Sequence, residues 1–482
     1  MNDKSLRATA LSGAKWNLVG HAGRQSIAFV VSIILARLLT PREFGLLAVL
    51  FIFQEVANAL VNSGLNAPLI QQKRISALDC STVFYFNVAV GLGCYLVLAA
   101  GADQIALFYR EPELTSLVRY YGLVFLIYAF GNIQLGLLLR ALDYRRLNTI
   151  DLIGVACSGL IAVLMALRGY GVYSLVGQQI SHATITSVLY WVNSSWRPTL
   201  AFSVASFRTF FEFGSRILAV SIMDKALNAL DNLIVGRIEG TAFAGQYSRG
   251  KNTRELPMGL ITGVITSLVF PLFSRITSLT ELRDAHARFI GFVTYLSAPV
   301  MVGMALVAEP LIAVLYSQKW LPAVPFLQLF CLFGITVPLN SVLVQTIMSR
   351  GAAQGLLGLE LRKKTVLVTS LVVGAFMGPL GLVSALCVGH YLMLLMSIRF
   401  VARLLQTSAW SIVEATLPGI GFSAFMAFPV FLVARLPWQT IHGELVASVL
   451  VGLMAYWAVS ALLGSSDYRF ARNLILTRIQ QR

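Results

Sequence analysis

The chain has 482 residues, of which 57% are hydrophobic and only 12% carry a charged side chain. Soluble domains carry about 25% charged residues, so this composition excludes a chain built mainly of soluble domains. A net charge of +16 would suggest nucleic-acid binding in a soluble protein. In a membrane protein, Lys and Arg retained in cytoplasmic loops explain it. We therefore predict a polytopic membrane protein that does not bind nucleic acid.

Apolar segments recur along the whole chain, each near the roughly 20 residues that a membrane-spanning helix needs. The pattern predicts an all-α integral membrane protein with about 14 transmembrane helices and short loops. In chain order the predicted helices are 15–38, 43–66, 80–101, 115–139, 148–167, 171–193, 208–235, 243–273, 287–308, 324–349, 363–378, 381–404, 411–434 and 443–464.

Lys and Arg alternate between the loops in a way that orients these helices. With the N-terminus in the cytoplasm, the loops on that side hold roughly three times as many cations as the opposite loops. Lys363 and Lys364 are counted in an inner loop, whereas Arg42 and Arg110 lie in outer loops. Both termini are therefore expected in the cytoplasm.

The chain contains an internal repeat with an offset near 200 residues. The stretch ARLLTPREFG (36–45) aligns with GRIEGTAFAG (236–245), which pairs Gly45 with Gly245. In the same register Glu55 pairs with Glu255. Shorter matches follow in the same order, IALFY with IAVLY and GVYSL with GLVSA. Because each repeat contains an even number of helices, the repeats are expected to be parallel.

The repeat predicts two pseudo-symmetric six-helix lobes around a central cavity. The N-terminal lobe is 1–200, with helices 1–6, and the C-terminal lobe is 201–408, with helices 7–12. Residues 409–482 add helices 13 and 14 and a basic cytoplasmic tail. Transporters commonly use such repeats and bind substrate between them, which favours alternating access.

One polar stretch, QYSRGKNTREL (246–256), permits two interpretations. The repeat register aligns it with part of predicted helix 2, which places it in the outer half of helix 8. Alternatively, 256–273 spans the membrane alone and the polar stretch is a loop in water. Because 43–60 is clearly a membrane helix, we favour the helical interpretation.

Polar side chains share single helix faces on predicted helices 1, 2, 7 and 8, the equivalent pairs of the two lobes. Charges inside membrane helices usually face a cavity or the bundle interior, so we predict one hydrated cavity walled by these four helices. Its cations suited to a pyrophosphate are Arg24, Lys251 and Arg254. Its further polar or ion-coupling candidates are His21, Glu55, Asn58, Asp224, Asn228, Asp231 and Glu255.

Structural ion pairs would produce the same pattern. Lys251 and Glu255 have the i,i+4 spacing of a helical ion pair, and Arg24 has Asp224 as a candidate partner. Asp151 is placed near the inner end of helix 5 and receives no role. The choice between substrate binding and structural pairing stays open at this point.

Motifs of the common enzyme classes are missing from the sequence. It has no GxxxxGK[ST] phosphate loop, no HExxH, no paired cysteines at metal-ligand spacing and no Ser/His/Asp arrangement. No outer loop is long enough for a catalytic domain. We therefore expect no enzyme activity, catalytic residue, cofactor or metal site.

The N-terminal run from Ser12 to Lys73, which contains WNLVGHAGRQSIAFVVSIILARLLTPREFG, resembles the start of bacterial polysaccharide repeat-unit flippases. The stretches VFPLFSRI (269–276) and SQKWLPAVPFLQLFCLFG (317–334) are also similar to that family. It belongs to the multidrug/oligosaccharidyl-lipid/polysaccharide exporter superfamily, and the similarity is greatest to the colanic-acid and exopolysaccharide exporter branch.

This resemblance implies two lobes of helices around a central cavity in the bacterial cytoplasmic (inner) membrane. The implied substrate is an oligosaccharide repeat unit on undecaprenyl pyrophosphate, moved to the periplasmic leaflet for exopolysaccharide, O-antigen or capsule assembly. Arg24 matches the first-helix arginine that related flippases use for the pyrophosphate, whereas the helix-8 cations match in type alone. The implied partners are membrane lipids, a polysaccharide polymerase or export machinery, and a coupling H⁺ or Na⁺.

Other functions remain open from the sequence. A drug/cation antiporter of the same superfamily would favour acidic cavity groups, and this sequence offers both signs. A non-transporting membrane subunit of a polysaccharide synthase, or a flippase for peptidoglycan precursors, would also have many apolar helices.

Overall fold

The computed structural model describes residues 3–63, 69, 72 and 75–463, and its regular elements there are helices. The long helices of the N-terminal part are α1 Asp3–Leu38, α2 Pro41–Ser63, α3 Ala77–Tyr109, α4 Leu114–Arg140, α5 Tyr144–Leu167, α6 Val172–Asn193, α7 Val204–Ile238 and α8 Thr241–Phe273. The remainder are α9 Leu279–Leu306, α10 Ala308–Tyr316, a 3-10 helix Gln318–Ala323, α11 Val324–Gly334, α12 Thr336–Ser349, α13 Ala353–Ala375, α14 Gly378–Leu404, α15 Ala409–Glu414, α16 Leu417–Ala434 and α17 Ile441–Leu462.

Local sequence signals fix several helix ends. Ser76 and Asp79 form a reciprocal capping box that starts α3, which satisfies backbone N–H groups otherwise left unpaired. The side chain of Asp143 accepts a hydrogen bond from the backbone N–H of Arg146 at the start of α5. Arg110 ends α3 in the left-handed conformation, with φ of 57°. These caps place the short turns between helices where the sequence predicts loops.

The chain forms two compact units, Met1–Gly245 and Gln246–Arg482. The first unit therefore contains α1 to α7 and the first residues of α8, and the second contains the rest of α8 and the later helices. The predicted division into 1–200, 201–408 and 409–482 follows the sequence repeat rather than compactness, and it stays a prediction.

In the first unit the principal helix pairs are α3 with α4, α5 with α6, α1 with α5, and α2 with α7. Its core includes Leu35, Leu46, Leu117 and Phe125. Small residues bring backbones together, as they commonly do in membrane helices. A Cβ at Gly91 of α3, for example, would lie only 2.7 Å from the Cβ of Ala129 on α4.

In the second unit α13 packs on α14, and the two long C-terminal helices α16 and α17 pack on each other. The helix α16 also packs on α9, where Gly419 approaches the backbone of Tyr295. The hydroxyl of Tyr456 on α17 donates to the carbonyl of Tyr295 at 2.7 Å. The two helices beyond the sequence repeat are therefore part of the packing of the second unit.

Within the described residues, each predicted helix corresponds to one helix or to two consecutive helices of the structure, which confirms the all-α membrane class. Among the described residues, nine helical stretches are long and apolar enough to cross a membrane. The helices α1, α2 and α7, which carry most of the predicted polar stripes, are not among those nine. The total of about 14 spans therefore stays a prediction.

Two details differ from the sequence prediction. Two predicted helices are each divided in two: helix 10 into α11 and α12 at Ile335, and helix 13 into α15 and α16 at residues 415–416. The helix α13 starts at Ala353, ten residues before the predicted 363, so Lys363 lies within a helix and not in a loop.

The stretch 246–256 lies within α8, which confirms the helical interpretation and shows that the loop alternative is wrong.

Candidate functional site

The side chain of Arg24 pairs with Asp151 in the first unit. Nη1 of Arg24, on α1, donates to Oδ2 of Asp151, on α5, at 3.0 Å. The hydroxyl of Tyr190, on α6, donates to the other carboxylate oxygen, Oδ1, at 3.1 Å. The Arg24 side chain is 39% exposed and that of Asp151 is 17% exposed. Three helices therefore meet at one carboxylate, beside a guanidinium that remains accessible.

Glycines allow these three helices to approach one another. A Cβ at Gly20, one turn before Arg24, would lie 2.5 Å from the Cβ of Asn148 on α5. A Cβ at Gly154, one turn after Asp151, would lie 2.5 Å from the Cγ2 of Thr186 on α6. Side chains therefore pack directly against glycine on both sides of α5, which brings the helices that carry the ion pair close together.

A second polar contact lies in the same part of the first unit. Nδ1 of His182, on α6, and the hydroxyl of Tyr128, on α4, are 2.8 Å apart. Both side chains are near enough to Asp151 to interact with its charge. Four helices thus contribute to two polar contacts, one among Arg24, Asp151 and Tyr190 and the other between Tyr128 and His182.

The acidic candidates of the first unit have different surroundings. Glu55 on α2 forms an ion pair with Lys225 on α7, and both side chains are partly exposed. Asp231 on α7 is 7% exposed, and its Oδ1 accepts a hydrogen bond from the backbone N–H of Asn232 at 2.8 Å. Four further candidates belong to helices, but their side chains lie outside the described residues: His21, Asn58, Asp224 and Asn228.

In the second unit two arginines of α8 are buried against aromatic rings. The guanidinium of Arg249 lies 4.7 Å from the ring centroid of Tyr316 and 4.9 Å from that of Trp320. The guanidinium of Arg254 lies 5.7 Å from Phe330 and 5.3 Å from Phe333. All four distances are in the range in which a cation is attracted to an aromatic face.

The other charged candidates of α8 are more accessible. Lys251 is half-buried, and the side chain of Glu255 is 51% exposed. Nη2 of Arg254 lies 3.9 Å from Oε1 of Glu255, a long distance for an ion pair. The structure therefore separates Arg254, which is buried among rings, from its neighbours Lys251 and Glu255.

Only some predicted site residues come together within one unit. Arg24 belongs to the first unit, whereas Lys251 and Arg254 belong to the second, so a common site of these cations stays a prediction. The sequence assigned no role to three residues that form these contacts: Asp151, Tyr190 and Lys225. Asp151 carried a usable signal, because it is the one acidic residue of helix α5.

A further buried polar group surrounds Lys363. Nζ of this residue donates to Oε1 of Glu360 at 2.7 Å and to Oδ1 of Asn340, on α12, at 3.1 Å. The hydroxyl of Ser397, on α14, donates to the same Asn340 oxygen at 2.9 Å. These partners explain why Lys363 is tolerated inside the helix bundle and not in the loop that the sequence predicted.

The helices and the charged side chains among them are typical of a multi-pass membrane transport protein. Comparison with known proteins supports this class. Residues 34–325 match the family described as "Polysaccharide biosynthesis protein", and the chain belongs to that family. This confirms the resemblance and the assignment to polysaccharide biosynthesis.

Curated relatives carry the same assignment. The chain is 26% identical over 384 residues to the lipopolysaccharide biosynthesis protein WzxC of Escherichia coli (strain K12), covering 78% of this chain and 77% of that protein. It is 27% identical over 349 residues to the succinoglycan biosynthesis transport protein ExoT of Rhizobium meliloti (strain 1021), covering 72% of this chain and 70% of that protein.

Solved structures share the fold. The lipid II flippase MurJ, in an inward closed conformation, superimposes with a TM-score of 0.73 over 95% of this chain and 99% of its own, at 13% identity. An inward-facing multidrug resistance MATE family transporter has a TM-score of 0.62, covering 79% of this chain and 94% of its own. An outward-facing MATE family transporter has a TM-score of 0.54, covering 83% of this chain and 95% of its own. Both are 14% identical, so these likenesses concern the fold alone.

Proposed function

We propose that the chain is a flippase for oligosaccharide repeat units linked to a polyprenyl pyrophosphate. The observation that carries the proposal is the family match over 34–325 on a chain that shares its fold with a lipid II flippase. The headgroup crosses the inner membrane by alternating access while the polyprenyl tail stays in lipid. The protein moves its substrate without chemical conversion, and both termini lie in the cytoplasm.

Arg24 is proposed to bind the pyrophosphate. A guanidinium is planar, stays charged and offers five N–H donors, a geometry suited to phosphate oxygens. The side chain is 39% exposed although it pairs with Asp151, so a ligand can approach it in this conformation. A charge in mid-membrane costs about 2.5–3.5 kcal/mol or more, which an anionic substrate would offset during transport.

Lys251 and Arg254 are proposed to contribute from α8 in other conformations of the transport cycle. Lys251 is the more accessible of the two, because Arg254 packs against Phe330 and Phe333. Direct binding by Arg254 requires its side chain to leave those rings. We also propose that H⁺ or Na⁺ drives the cycle through Glu55, Asp231 or Glu255, and that a polymerase or export machinery receives the product.

The direct test is complementation of a strain that lacks its own repeat-unit flippase. The triple variant Arg24→Ala, Lys251→Ala, Arg254→Ala should be made at normal levels in the membrane and should fail to restore polymer export. The variant Arg435→Ala, which removes an exposed cation stacked on Phe431, is the control and should export normally. Normal export by the triple variant would refute pyrophosphate binding by these residues.

A drug/cation antiporter is the second candidate, because the fold is shared with MATE family transporters. It predicts that the chain raises drug resistance in a host without exporters and does not restore polymer export. Restored polymer export without a rise in drug resistance supports the flippase. A non-transporting synthase subunit predicts normal export by the triple variant.

A further inference from the structure

The carboxylate of Asp151 is fully engaged by two different helices. One oxygen accepts from Arg24 of α1 and the other from Tyr190 of α6. Helix α5 is fixed between those two helices by the contacts of Gly20 and Gly154. The carboxylate therefore has little freedom to move, and the guanidinium that it holds is constrained in turn.

We propose that Asp151 is the positioning residue for Arg24, and this rests on the proposed function of Arg24 as a diphosphate ligand. A charged hydrogen bond to one guanidinium nitrogen fixes the plane of the fork and directs its other edge toward the ligand. Tyr190 fixes the carboxylate in the same way. Asp151 does not touch the substrate; it acts through Arg24.

The experiment measures binding of farnesyl diphosphate, a short polyprenyl diphosphate, to the full-length protein in lipid nanodiscs. Asp151→Asn should weaken binding about tenfold, because a neutral amide holds the guanidinium less strongly than a carboxylate does. Asp151→Glu should recover part of the affinity, and Tyr190→Phe should show a smaller loss. The control is Asp103→Asn, since Asp103 forms an exposed ion pair with Arg119.

The outcomes separate this inference from the proposed function. Loss of binding in Arg24→Ala, together with weaker binding in Asp151→Asn that Asp151→Glu partly restores, supports both. Wild-type affinity in Asp151→Asn would overturn the positioning role and leave Arg24 as the ligand. Unchanged binding in Arg24→Ala would instead refute the diphosphate site. If Asp151→Asn fails to fold, Tyr190→Phe decides, and unchanged binding there overturns the positioning role.

A second inference comes from a different part of the first unit, where the starts of α2 and α8 cross. A Cβ at Gly45 would lie 1.6 Å from the carbonyl oxygen of Thr241, and a Cβ at Gly245 would lie 1.9 Å from that of Pro41. The contact is reciprocal and joins positions that the sequence repeat makes equivalent. Only glycine fits at either position without movement of the backbone.

Charged side chains secure the same crossing. Nη2 of Arg42 donates to Glu111 at 2.5 Å, and Nη1 donates to Glu113 at 3.2 Å. The hydroxyl of Thr241 donates to the other oxygen of Glu111 at 2.6 Å. The turn between α3 and α4 therefore holds the start of α2 and the start of α8 through one carboxylate.

The geometry points to a gate on the outer side, with this crossing as its closed form. The positive-inside pattern places Arg42 and Glu111 on that side. The contacts at the two glycines leave no room for a side chain between the helix starts, so a polar headgroup can pass here only when the two helix starts separate. The inference depends on the transport class of the protein and not on which cargo it carries.

The test labels a cysteine at the crossing from outside the cell. Thr241→Cys is suitable because Thr241 is 3% exposed and Cys is smaller than Thr. It removes the hydroxyl contact with Glu111 but keeps that of Arg42, and all labelling rates are compared within this one background. In a functional background without the five native cysteines, a membrane-impermeant maleimide should label it slowly. Gly45→Ala should raise the labelling rate several-fold because the added Cβ prevents closure. Gly259→Ala, in the same helix α8 and without neighbours near its Cβ, should leave the rate unchanged.

Glu111→Gln provides a second variant that keeps the glycine contacts and weakens only the charged contacts. It should also raise labelling, by less than Gly45→Ala. If Gly45→Ala and Glu111→Gln are both labelled at the same rate as Thr241→Cys alone, the gate is overturned. Because the assay contains no substrate, failure of the flippase proposal would not alter its result.

Discussion

Arg24 and Asp151 are 127 residues apart in sequence, yet Nη1 of the arginine lies 3.0 Å from Oδ2 of the aspartate. The pair joins α1 to α5 and leaves the guanidinium partly accessible. This relationship gives the first helix a fixed cation, which is the feature that the proposed flippase function requires.

Replacing Arg24 with Lys should keep the charge and lose the planar fork. A lysine binds phosphate as a point charge and cannot hold Asp151 and a phosphate through two edges of one group. We expect polymer export between the levels of wild type and Arg24→Ala, measured in the complementation strain at equal protein levels. Wild-type export by Arg24→Lys would show that charge alone is sufficient.

Arg249 should be more important for stability than for transport. It is 4% exposed and lies over Tyr316 and Trp320, whereas Arg435 makes a similar contact with Phe431 at an exposed helix end. Desolvated cation–π contacts are worth about 2 kcal/mol and exposed ones about 0.5–1 kcal/mol. Arg249→Met should therefore lower the thermal midpoint in detergent more than Arg435→Met. Equal shifts would contradict the difference in burial.

Lys363 should be required for the packing of α13 against α12 and α14. Its removal leaves Glu360 and Asn340 without a charged donor, a loss on the order of 1–3 kcal/mol. Lys363→Met should lower the thermal midpoint, and the neighbouring exposed Arg362→Met should not. If the two variants have the same midpoint, the hydrogen bonds of Lys363 contribute no net stability.

The crossing at Glu111 should be insensitive to pH in the physiological range. Burial raises the pKa of Glu111, but hydrogen bonds from Arg42 and Thr241 outweigh it and hold the pKa below the ordinary 4.5. A carboxyl with a depressed pKa stabilises the folded form above its ordinary pKa, and this stabilisation is lost as the pH falls through the lower value. In Thr241→Cys the hydrogen bond from Arg42 to Glu111 is kept, so labelling of this variant should be constant from about pH 8 to about pH 5.5. A rise within that range would contradict the assignment.

The helices could be predicted because apolar length and loop charge are local properties of the sequence. The repeat also identified α8 correctly, since its aligned partner α2 is clearly apolar. The early start of α13 was missed because Glu360 and Lys363 neutralise each other within the bundle, which composition alone does not reveal.

The site was less predictable. The polar stripe of α1 identified Arg24, but its partner depends on how α1 packs on α5 at Gly20 and Asn148. That packing is a tertiary property and has no local pattern. Helical spacing likewise placed Arg254 beside Lys251, whereas the rings of Phe330 and Phe333 that bury it come from another segment.

The most direct test of the central claim is translocation of a fluorescent lipid-linked oligosaccharide in proteoliposomes. Wild-type protein should move the headgroup across the bilayer, and Arg24→Ala should not. Arg168→Ala, which removes an exposed cation at the end of α5, should behave as wild type. Equal translocation by wild type and Arg24→Ala would contradict the claim that this guanidinium binds the substrate.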